Sequence, residues 1–210
     1  MGSLPAAPFA YPIVDAARLR GRDVAAVVDV LARGGARLIQ LRVKALTDRE
    51  RLALARAAVA AAHASGARLV VNDRADLARI VGADGLHVGQ DDLSPDDARA
   101  VIGPGMLLGL STHGLAQLEA AASAPVDYVA IGPVFATRTK DNPDPVVGLE
   151  MVRRARAIVS RPLVAIGGIT RANARQVVEA GADGVAVVSD LLDAPDLGHA
   201  LAELRAALGG

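Results

Sequence analysis

Eight short apolar runs alternate with helical segments along the chain, and this alternation constrains the fold more than any other feature. Each run is continuous and rich in Val, Ile or Leu. They lie at residues 11–14, 37–41, 68–71, 85–88, 106–110, 128–131, 163–166 and 185–188. Short continuous apolar runs are typical of strands buried on both faces of a parallel sheet. The sequence therefore predicts a repeated strand–helix unit.

Helical segments fill the intervals between these runs, and two of them have recognisable starts. Thr47 precedes the longest segment, residues 48–65, and Glu50 follows three residues later, which makes a capping box. Ser94 followed by Pro95 provides a cap and then proline at the first helical position. The remaining helices are predicted at residues 25–32, 115–122, 149–160, 171–180 and 197–208.

Glycine recurs where a helix gives way to the next strand, at Gly35, Gly66, Gly82 and Gly181. Glycine is the residue expected just past a helix end. The recurring junction, with eight units in 210 residues, predicts an α/β protein with a single (β/α)₈ TIM barrel. The domain is predicted to cover 11–210, after a flexible tail at 1–10. A doubly wound open sheet is the alternative, but it would normally have fewer strands, and no dinucleotide-type glycine loop follows the first strand.

The composition excludes several classes of function. Hydrophobic residues make up 52% and aromatic residues 2%, which predicts an aliphatic core. The net charge is zero, so nothing indicates a nucleic-acid partner, and the absence of cysteine excludes thiol nucleophiles and disulfides. No apolar run reaches the roughly 18 residues of a membrane span, and the N-terminus lacks a signal-peptide pattern. We expect a cytoplasmic enzyme that acts on small molecules, with no membrane partner; nothing in the sequence specifies an oligomeric state.

A cluster of alternating polar residues ends the second predicted strand. Gln40, Arg42 and Lys44 share one face of this strand, while Leu41 and Val43 share the other. In a barrel the first face looks inward near the mouth, where the loops after the strands build the active site. Two cations and an amide at this position indicate a site for a polyanion.

Acidic residues follow the next two predicted strands. Asn72 and Asp73 end the third strand, and Asp91 and Asp92 come just after the fourth. Adjacent strands lie about 4.8 Å apart, so these carboxylates can share a site, and Mg²⁺ is commonly held by one or two carboxylates with phosphate and water. The alternative is that Asp73 caps the following helix, and that Asp91 or Asp92 is simply solvated.

Hydroxyl groups and glycines follow the later strands. Ser111 is positioned to donate to a phosphate oxygen, while His113 is either a general base or a residue at a helix start. The long loop at residues 132–147 is predicted to be a lid or binding loop. Backbone amides after the seventh and eighth strands form the phosphate site of many barrels, which here assigns that role to Gly168, Val188 and Ser189.

In their order along the chain, these clusters resemble the motifs of the thiamine phosphate synthase family. The matching segments lie at residues 40–44, 72–73, 87–92, 111–113, 132–140, 167–169 and 188–189, and they span nearly the whole chain. Each motif is weak alone, but the ordered set is specific. Two positions depart from the family pattern: Val43, where the family often has Glu, and Ala136, where it often has Pro.

The resemblance implies a reaction and a set of roles. The family joins hydroxymethylpyrimidine diphosphate to 4-methyl-5-(2-phosphoethyl)thiazole and releases diphosphate, with Mg²⁺ as cofactor. The metal would be held by Asp73 and Asp92. The pyrimidine diphosphate would be held by Arg42, Lys44, Asn72, Ser111 and Lys140. The thiazole phosphate would be held by Thr137, Thr139, Gly168, Val188 and Ser189. The predicted substrate-binding set also includes Gln40, Leu41, Val43 and Arg138, and the residues expected to be catalytic are Arg42, Lys44, Ser111 and Lys140.

The thiazole nitrogen needs no deprotonation, so a dissociative path is expected, in which the carbon–oxygen bond breaks before the new bond forms. Three alternatives stay open. The first is the thiazole tautomerase branch of the same family, which would not need the complete diphosphate and magnesium set. The second is a non-catalytic phosphate-binding barrel. The third is another phosphate-binding barrel enzyme, an epimerase or an aldolase, and for an aldolase Lys44 is the candidate Schiff-base residue.

Overall fold

The structure is a computed structural model that describes residues 4–137, 139 and 144–209. Within these residues, eight parallel strands follow one another in chain order and close into a barrel through the pairing of the last strand with the first. This confirms the predicted fold class. The strands are β1 (Phe9–Asp15), β2 (Leu38–Arg42), β3 (Arg68–Asn72), β4 (Gly85–Val88), β5 (Leu107–Thr112), β6 (Tyr128–Ile131), β7 (Leu163–Ile166) and β8 (Gly184–Val187).

Helices surround the barrel. In the described part of the chain they are a 3₁₀ turn (Ala16–Arg18), α1 (Val24–Arg33), α2 (Asp48–Ala64), α3 (Ala75–Val81), α4 (Pro95–Ile102), α5 (Leu115–Ser123), α6 (Gly148–Ile158), α7 (Ala174–Glu179), α8 (Ser189–Leu192) and α9 (Leu197–Leu208). Both predicted helix starts are confirmed, with the Thr47–Glu50 capping box on α2 and Ser94 capping α4. No helix among these residues is long and apolar enough to cross a membrane.

The junction glycines have the backbone conformation that their sequence pattern predicts. Gly35, Gly66, Gly82 and Gly181 all have positive φ, between +65° and +108°. L-residues with a Cβ rarely adopt this conformation, so glycine allows the chain to turn from each helix into the next strand.

The first strand begins earlier than its apolar run predicts. Phe9 and Ala10, which the sequence assigns to a flexible tail, lie in β1 and are buried. The amide of Phe9 donates to the carbonyl oxygen of Asp183, just ahead of β8, at 3.0 Å. Residues 9 and 10 therefore belong to the barrel wall.

Two apolar layers form the core, and they differ in composition. The layer between the strands and the helices is aliphatic, as predicted. The barrel interior is different, because Phe9, Tyr11 and Tyr128 all lie in it, three of the four aromatic residues in the chain. Glycine makes room for these rings: a Cβ at Gly184 would lie 2.5 Å from Cζ of Phe9.

Three aspartates tie neighbouring strands together at the end of the barrel where the strands begin. Asp84, Asp127 and Asp183 each stand just before an even-numbered strand. Their carboxylates accept the backbone N–H of Leu69, Leu108 and Leu163, respectively, at 2.7 to 2.8 Å. Each carboxylate also meets a basic side chain, which is His63, Arg99 or Arg156, respectively.

We expect Asp127→Ala to destabilise the fold by about 2–4 kcal/mol, because it leaves the strand amide of Leu108 without its acceptor and removes the ion pair with Arg99. Urea unfolding measures this change. Asp96→Ala is the matched control, since Asp96 is exposed on α4 and should change stability by only about 0.5–1 kcal/mol. Equal stabilities of the two variants would contradict a structural role for Asp127.

Candidate active site

The end of β2 presents its side chains as the alternation predicts. Leu41 is buried among the helices and Val43 packs against the same layer, so either residue could reach a ligand in the barrel only through its backbone. Gln40 points into the interior and is 3% exposed. Arg42 lies at the mouth, where its Nη1 donates to Oδ2 of Asp15 at 2.5 Å.

Asp15 is a residue that the sequence reasoning did not single out. It ends β1, is 3% exposed, and its second carboxylate oxygen accepts the amide of Ala17 at 3.0 Å. It therefore holds the guanidinium of Arg42 from the neighbouring strand, where the two residues are partners in register. The available signal is an acidic residue directly after the first predicted strand, the same signal that the acidic residues after β3 and β4 provide.

Asp73 lies in a strained and electrostatically unfavourable position. Its φ is +65°, a conformation that costs energy for any residue other than glycine. Burial raises the pKa of its carboxyl group. The ion pair with Lys44 lowers this pKa, and the negative charge of Asp92 raises it. Asn72 donates from Nδ2 to Oδ1 of Asp73 at 2.5 Å. Strain of this kind is concentrated at functional sites.

The structure distinguishes between the two aspartates after β4. Asp92 is the one close enough to influence the pKa of Asp73, and its Oδ2 accepts the amide of Gly89 at 2.8 Å. Asp91 is exposed. Helix capping does not account for these acids, because Ser94 caps α4, and Arg74 stands at the cap position of α3 with no side-chain hydrogen bond.

The Asp73–Asp92 pair has the chemistry of a divalent-cation site. Two neighbouring carboxylates repel each other, and a hard dication between them would relieve that repulsion. Among the described residues, no group of three or more acidic or histidine side chains could hold a metal. A cation at this pair would therefore need further oxygen ligands from substrate or water.

Ser111 is connected to the interior of the barrel. Its Oγ lies 2.8 Å from Nε2 of His87, and Nδ1 of His87 lies 2.9 Å from the hydroxyl of Tyr128. His87 is therefore an inward residue of β4 that contacts a predicted site residue, a role that its sequence context did not reveal. Gln90 donates to the carbonyl oxygen of Ser111 at 2.6 Å, which joins the loops after β4 and β5.

Gly167 and Gly168 form a tight turn after β7 beneath the loop that follows β6. Their φ angles are +97° and +63°. A Cβ at Gly167 would lie 2.4 Å from Cβ of Pro133, and one at Gly168 would lie 2.5 Å from the carbonyl oxygen of Ala136. The amide of Phe135 donates to the carbonyl oxygen of Gly167 at 2.9 Å. Only glycine permits this close packing of the two loops.

The remaining predicted residues lie on the loops after β6 and β8. Val188 and Ser189 stand at the start of α8, a one-turn helix that the sequence did not predict; a short extra helix after the last strand is a common part of barrel phosphate sites. Thr137 accepts the amide of Thr139 on its Oγ1 at 3.2 Å. The predicted residues Arg138 and Lys140 lie outside the described residues.

His113 has a carboxylate nearby that the sequence did not make apparent. Its Nδ1 lies 2.6 Å from the carbonyl oxygen of Gly132, and its Nε2 lies 3.5 Å from Oδ2 of Asp144. These contacts link the end of β5 to both ends of the loop after β6. They give His113 a structural role in positioning this loop.

A surface groove of about 390 Å³ lies on the opposite face, lined by Arg68, Arg79, Asp84 and the turn before β5. This groove is formed by residues of the strand junctions. The cations, the paired carboxylates and the strained backbone all lie at the mouth, which is where barrel enzymes have their active sites.

The fold and this site define the chain as a (β/α)₈ barrel protein with a charged, polar site at the mouth of the barrel. Comparison with known proteins then specifies the family: the thiamine monophosphate synthase family model matches residues 10–191. The chain belongs to this family, as its motifs suggested, and it is an enzyme of the transferase class.

Individual relatives agree with this assignment. The chain is 52% identical over 192 residues to the thiamine-phosphate synthase of Koribacter versatilis, covering 90% of each chain. It is 45% identical over 195 residues to that of Methanoculleus marisnigri, covering 93% of this chain and 92% of the relative. The solved structure of thiamine phosphate pyrophosphorylase from Pyrococcus furiosus superimposes with a TM-score of 0.86 at 34% identity, covering 96% of this chain and 95% of the other.

Proposed function

We propose that the protein is a thiamine-phosphate synthase. It would transfer the hydroxymethylpyrimidine group from its diphosphate to 4-methyl-5-(2-phosphoethyl)thiazole, giving thiamine phosphate and diphosphate. The observation that carries this proposal is the ion pair of Lys44 with Asp73, whose carboxyl group lies beside that of Asp92, with Arg42 two residues before Lys44 at the end of β2. Cations beside paired carboxylates suit a diphosphate together with a divalent metal.

Arg42 and Lys44 would bind the diphosphate and stabilise it as it leaves. Arg42 is held at the mouth by Asp15 and is 23% exposed, so part of its guanidinium stays available to a ligand. Lys44 is 56% exposed and would exchange part of its contact with Asp73 for phosphate oxygens. Asn72 and Ser111 would donate further hydrogen bonds, and Lys140 would add a third positive charge from the loop after β6.

Mg²⁺ is the cofactor we propose, and Asp73 and Asp92 are the residues that would hold it. When bound, the metal would neutralise part of the charge that develops on the leaving diphosphate. The raised pKa of Asp73 supports this assignment, because its buried carboxylate lies beside a second negative charge. Asn72 would keep the Asp73 carboxylate oriented through its hydrogen bond to Oδ1.

The thiazole phosphate would bind across the mouth, at the loops after β7 and β8. Gly168 lets its backbone approach an anion closely because it carries no side chain, and Asn173 fixes its carbonyl oxygen with a hydrogen bond of 3.0 Å. Val188 and Ser189 would contribute amides from the start of α8. Thr137 and Thr139 would contribute hydroxyls from the loop after β6.

The site also favours a dissociative reaction. The thiazole nitrogen attacks with its own lone pair, so the reaction needs no general base. The protein has to supply charge stabilisation and positioning. His87 contacts the predicted substrate residue Ser111, and both of its ring nitrogens are engaged, with Ser111 and Tyr128. Bond cleavage to the diphosphate before attack would leave a pyrimidinylmethyl cation stabilised by its own amino group.

An aldolase is a weaker candidate. A Schiff-base lysine must be neutral and enclosed, whereas Lys44 is more than half exposed and forms an ion pair with Asp73. The tautomerase branch of the family stays the closest rival, and its members would not require the diphosphate and metal residues. A cytoplasmic location and the absence of a nucleic-acid partner stay predictions from the sequence.

The proposed activity is tested by mixing the protein with hydroxymethylpyrimidine diphosphate and the thiazole phosphate, with Mg²⁺ or with EDTA. We expect thiamine phosphate to form with Mg²⁺, to be lost with EDTA, and to return when Mg²⁺ is restored. Absence of product under all three conditions, with the thiazole phosphate still bound, would contradict the synthase and favour the tautomerase or a non-catalytic barrel.

A further inference from the structure

A chain of hydrogen bonds crosses the barrel interior from β2 to β5. Gln40 donates from Nε2 to the hydroxyl of Tyr11 at 3.1 Å, and the hydroxyls of Tyr11 and Tyr128 lie 2.9 Å apart. The hydroxyl of Tyr128 lies 2.9 Å from Nδ1 of His87, and Nε2 of His87 lies 2.8 Å from Oγ of Ser111. Four of these five side chains are buried, and Ser111 alone reaches the mouth.

We propose that these hydrogen bonds all run in one direction, from Gln40 towards Ser111. This direction places the proton of His87 on Nε2 and leaves the Ser111 hydroxyl as a hydrogen-bond donor toward the substrate. This rests on the proposed function, in which Ser111 binds the diphosphate. His87, Tyr128 and Tyr11 would then be positioning residues, acting on the substrate through Ser111.

The direction follows from the number of hydrogens that each group carries. An amide nitrogen donates only, so the Tyr11 oxygen accepts from Gln40, and a hydroxyl has one hydrogen to donate. The hydroxyl contacts of Tyr11 among the described residues are Gln40 and Tyr128, so its hydrogen goes to Tyr128. The hydrogen of Tyr128 then goes to Nδ1 of His87. Burial raises the pKa of both tyrosines, which keeps both hydrogens in place.

The same count of hydrogens determines the direction of the last hydrogen bond, between His87 and Ser111. Because Nδ1 of His87 accepts, the neutral ring carries its proton on Nε2, and this proton is donated to Oγ of Ser111. The one hydrogen of Ser111 is then free to point into the mouth. A donor there attracts a phosphate oxygen, whereas the reverse direction would commit that hydrogen to His87 and turn oxygen lone pairs toward the anion.

Gly109 makes this arrangement sterically possible. A Cβ at this position would lie 2.1 Å from Cζ of Tyr128 and 2.5 Å from Nδ1 of His87. The rings of His87 and Tyr128 pack with their centroids 5.5 Å apart over this glycine. The hydrogen bond between them therefore depends on the absence of a side chain on the facing residue of β5.

The direct test is the tautomer of His87, measured by NMR on the ligand-free protein labelled with ¹⁵N at its four histidines. The His87 signals are assigned by their loss in His87→Gln. We expect the proton on Nε2 in the wild type and a mixture of tautomers in Tyr128→Phe, which removes the donor to Nδ1. A proton on Nδ1 in the wild type would overturn the proposal. This readout uses no substrate, so it stands or fails independently of the proposed function.

The second test measures binding of inorganic diphosphate, in the presence of Mg²⁺, by titration calorimetry. His87→Asn is expected to weaken diphosphate binding about tenfold, because the shorter amide does not reach Ser111. A loss of this size is typical when a hydrogen bond that supports the binding of a charged ligand is removed. His87→Gln keeps a donor near the position of Nε2 and should stay within about twofold of wild type.

A double-mutant cycle separates positioning from a general structural effect. In a Ser111→Ala background, His87→Asn should change diphosphate affinity by less than about twofold, because the group through which it acts is absent. A full tenfold loss in that background would overturn the proposed route through Ser111. Thermal unfolding of every variant shows whether it retains the fold under the conditions of the titration.

Discussion

Replacing Arg42 with alanine is expected to lower kcat/KM for thiamine phosphate formation by about 10²–10³-fold. The guanidinium is held at the mouth by Asp15, and losing one fixed donor to a developing anion typically costs this much. Steady-state kinetics with both substrates and saturating Mg²⁺ measure the effect. The sequence alone assigns Lys140 to the same diphosphate, so Lys140→Ala should give a comparable loss of kcat/KM.

The Arg42 variant also changes stability, and the two effects can be separated. Asp15 is 3% exposed, so removing Arg42 leaves a buried negative charge without its partner, at a cost of about 3 kcal/mol. Adding Asp15→Asn removes that charge. The double variant Asp15→Asn/Arg42→Ala should therefore recover much of the stability in urea unfolding while its activity stays low.

Recovery of near-normal activity in the double variant would mean that Arg42 serves only to neutralise Asp15. Near-normal activity in both Arg42→Ala and Lys140→Ala would contradict the assignment of these residues to the diphosphate. Either result would move the proposed function toward the tautomerase branch.

Asp92→Asn is expected to lower activity by about 10²-fold or more, and to raise the Mg²⁺ concentration needed for half-maximal rate. A metal that stabilises a leaving group is worth several kcal/mol, and asparagine supplies a weaker ligand without charge. The substitution keeps an oxygen that can still accept from the amide of Gly89, so the loop should keep its conformation.

Asp91→Asn is the matched control for this prediction. Asp91 carries the same charge one residue earlier and is exposed, away from the pKa coupling between Asp73 and Asp92. We expect its activity to stay within about threefold of wild type, since exposed charges interact weakly across water. Equal losses in the two variants would indicate a general effect of charge near the mouth and not a metal ligand at Asp92.

The sequence predicted the repeating parts of the fold well, because they depend on local chemistry. The capping box at Thr47, the cap at Ser94 and the positive φ of the junction glycines each arise from contacts within a few residues. The placement of Arg42 inward and Leu41 outward followed from strand alternation alone. Such features need no knowledge of the distant chain.

The features that escaped prediction depend on contacts between distant segments. Tyr11 and Tyr128 are 117 residues apart in the chain, and His113 and Asp144 meet only because the loop after β6 returns to the end of β5. The one-turn helix α8 is too short to show helical periodicity. The predicted start of the helix at 171 was three residues early, because residues 171–173 form a turn ahead of α7.

The pair of tyrosines inside the barrel has a consequence for optical spectroscopy. The chain contains no tryptophan, and both of its tyrosines lie fully buried at one point, with their ring centroids 6.0 Å apart. Tyrosine fluorescence and near-ultraviolet circular dichroism therefore report on the centre of the barrel, while far-ultraviolet circular dichroism reports mainly on the outer helices. Coincident unfolding curves from the two signals would show that the barrel and its helical layer melt as one cooperative unit.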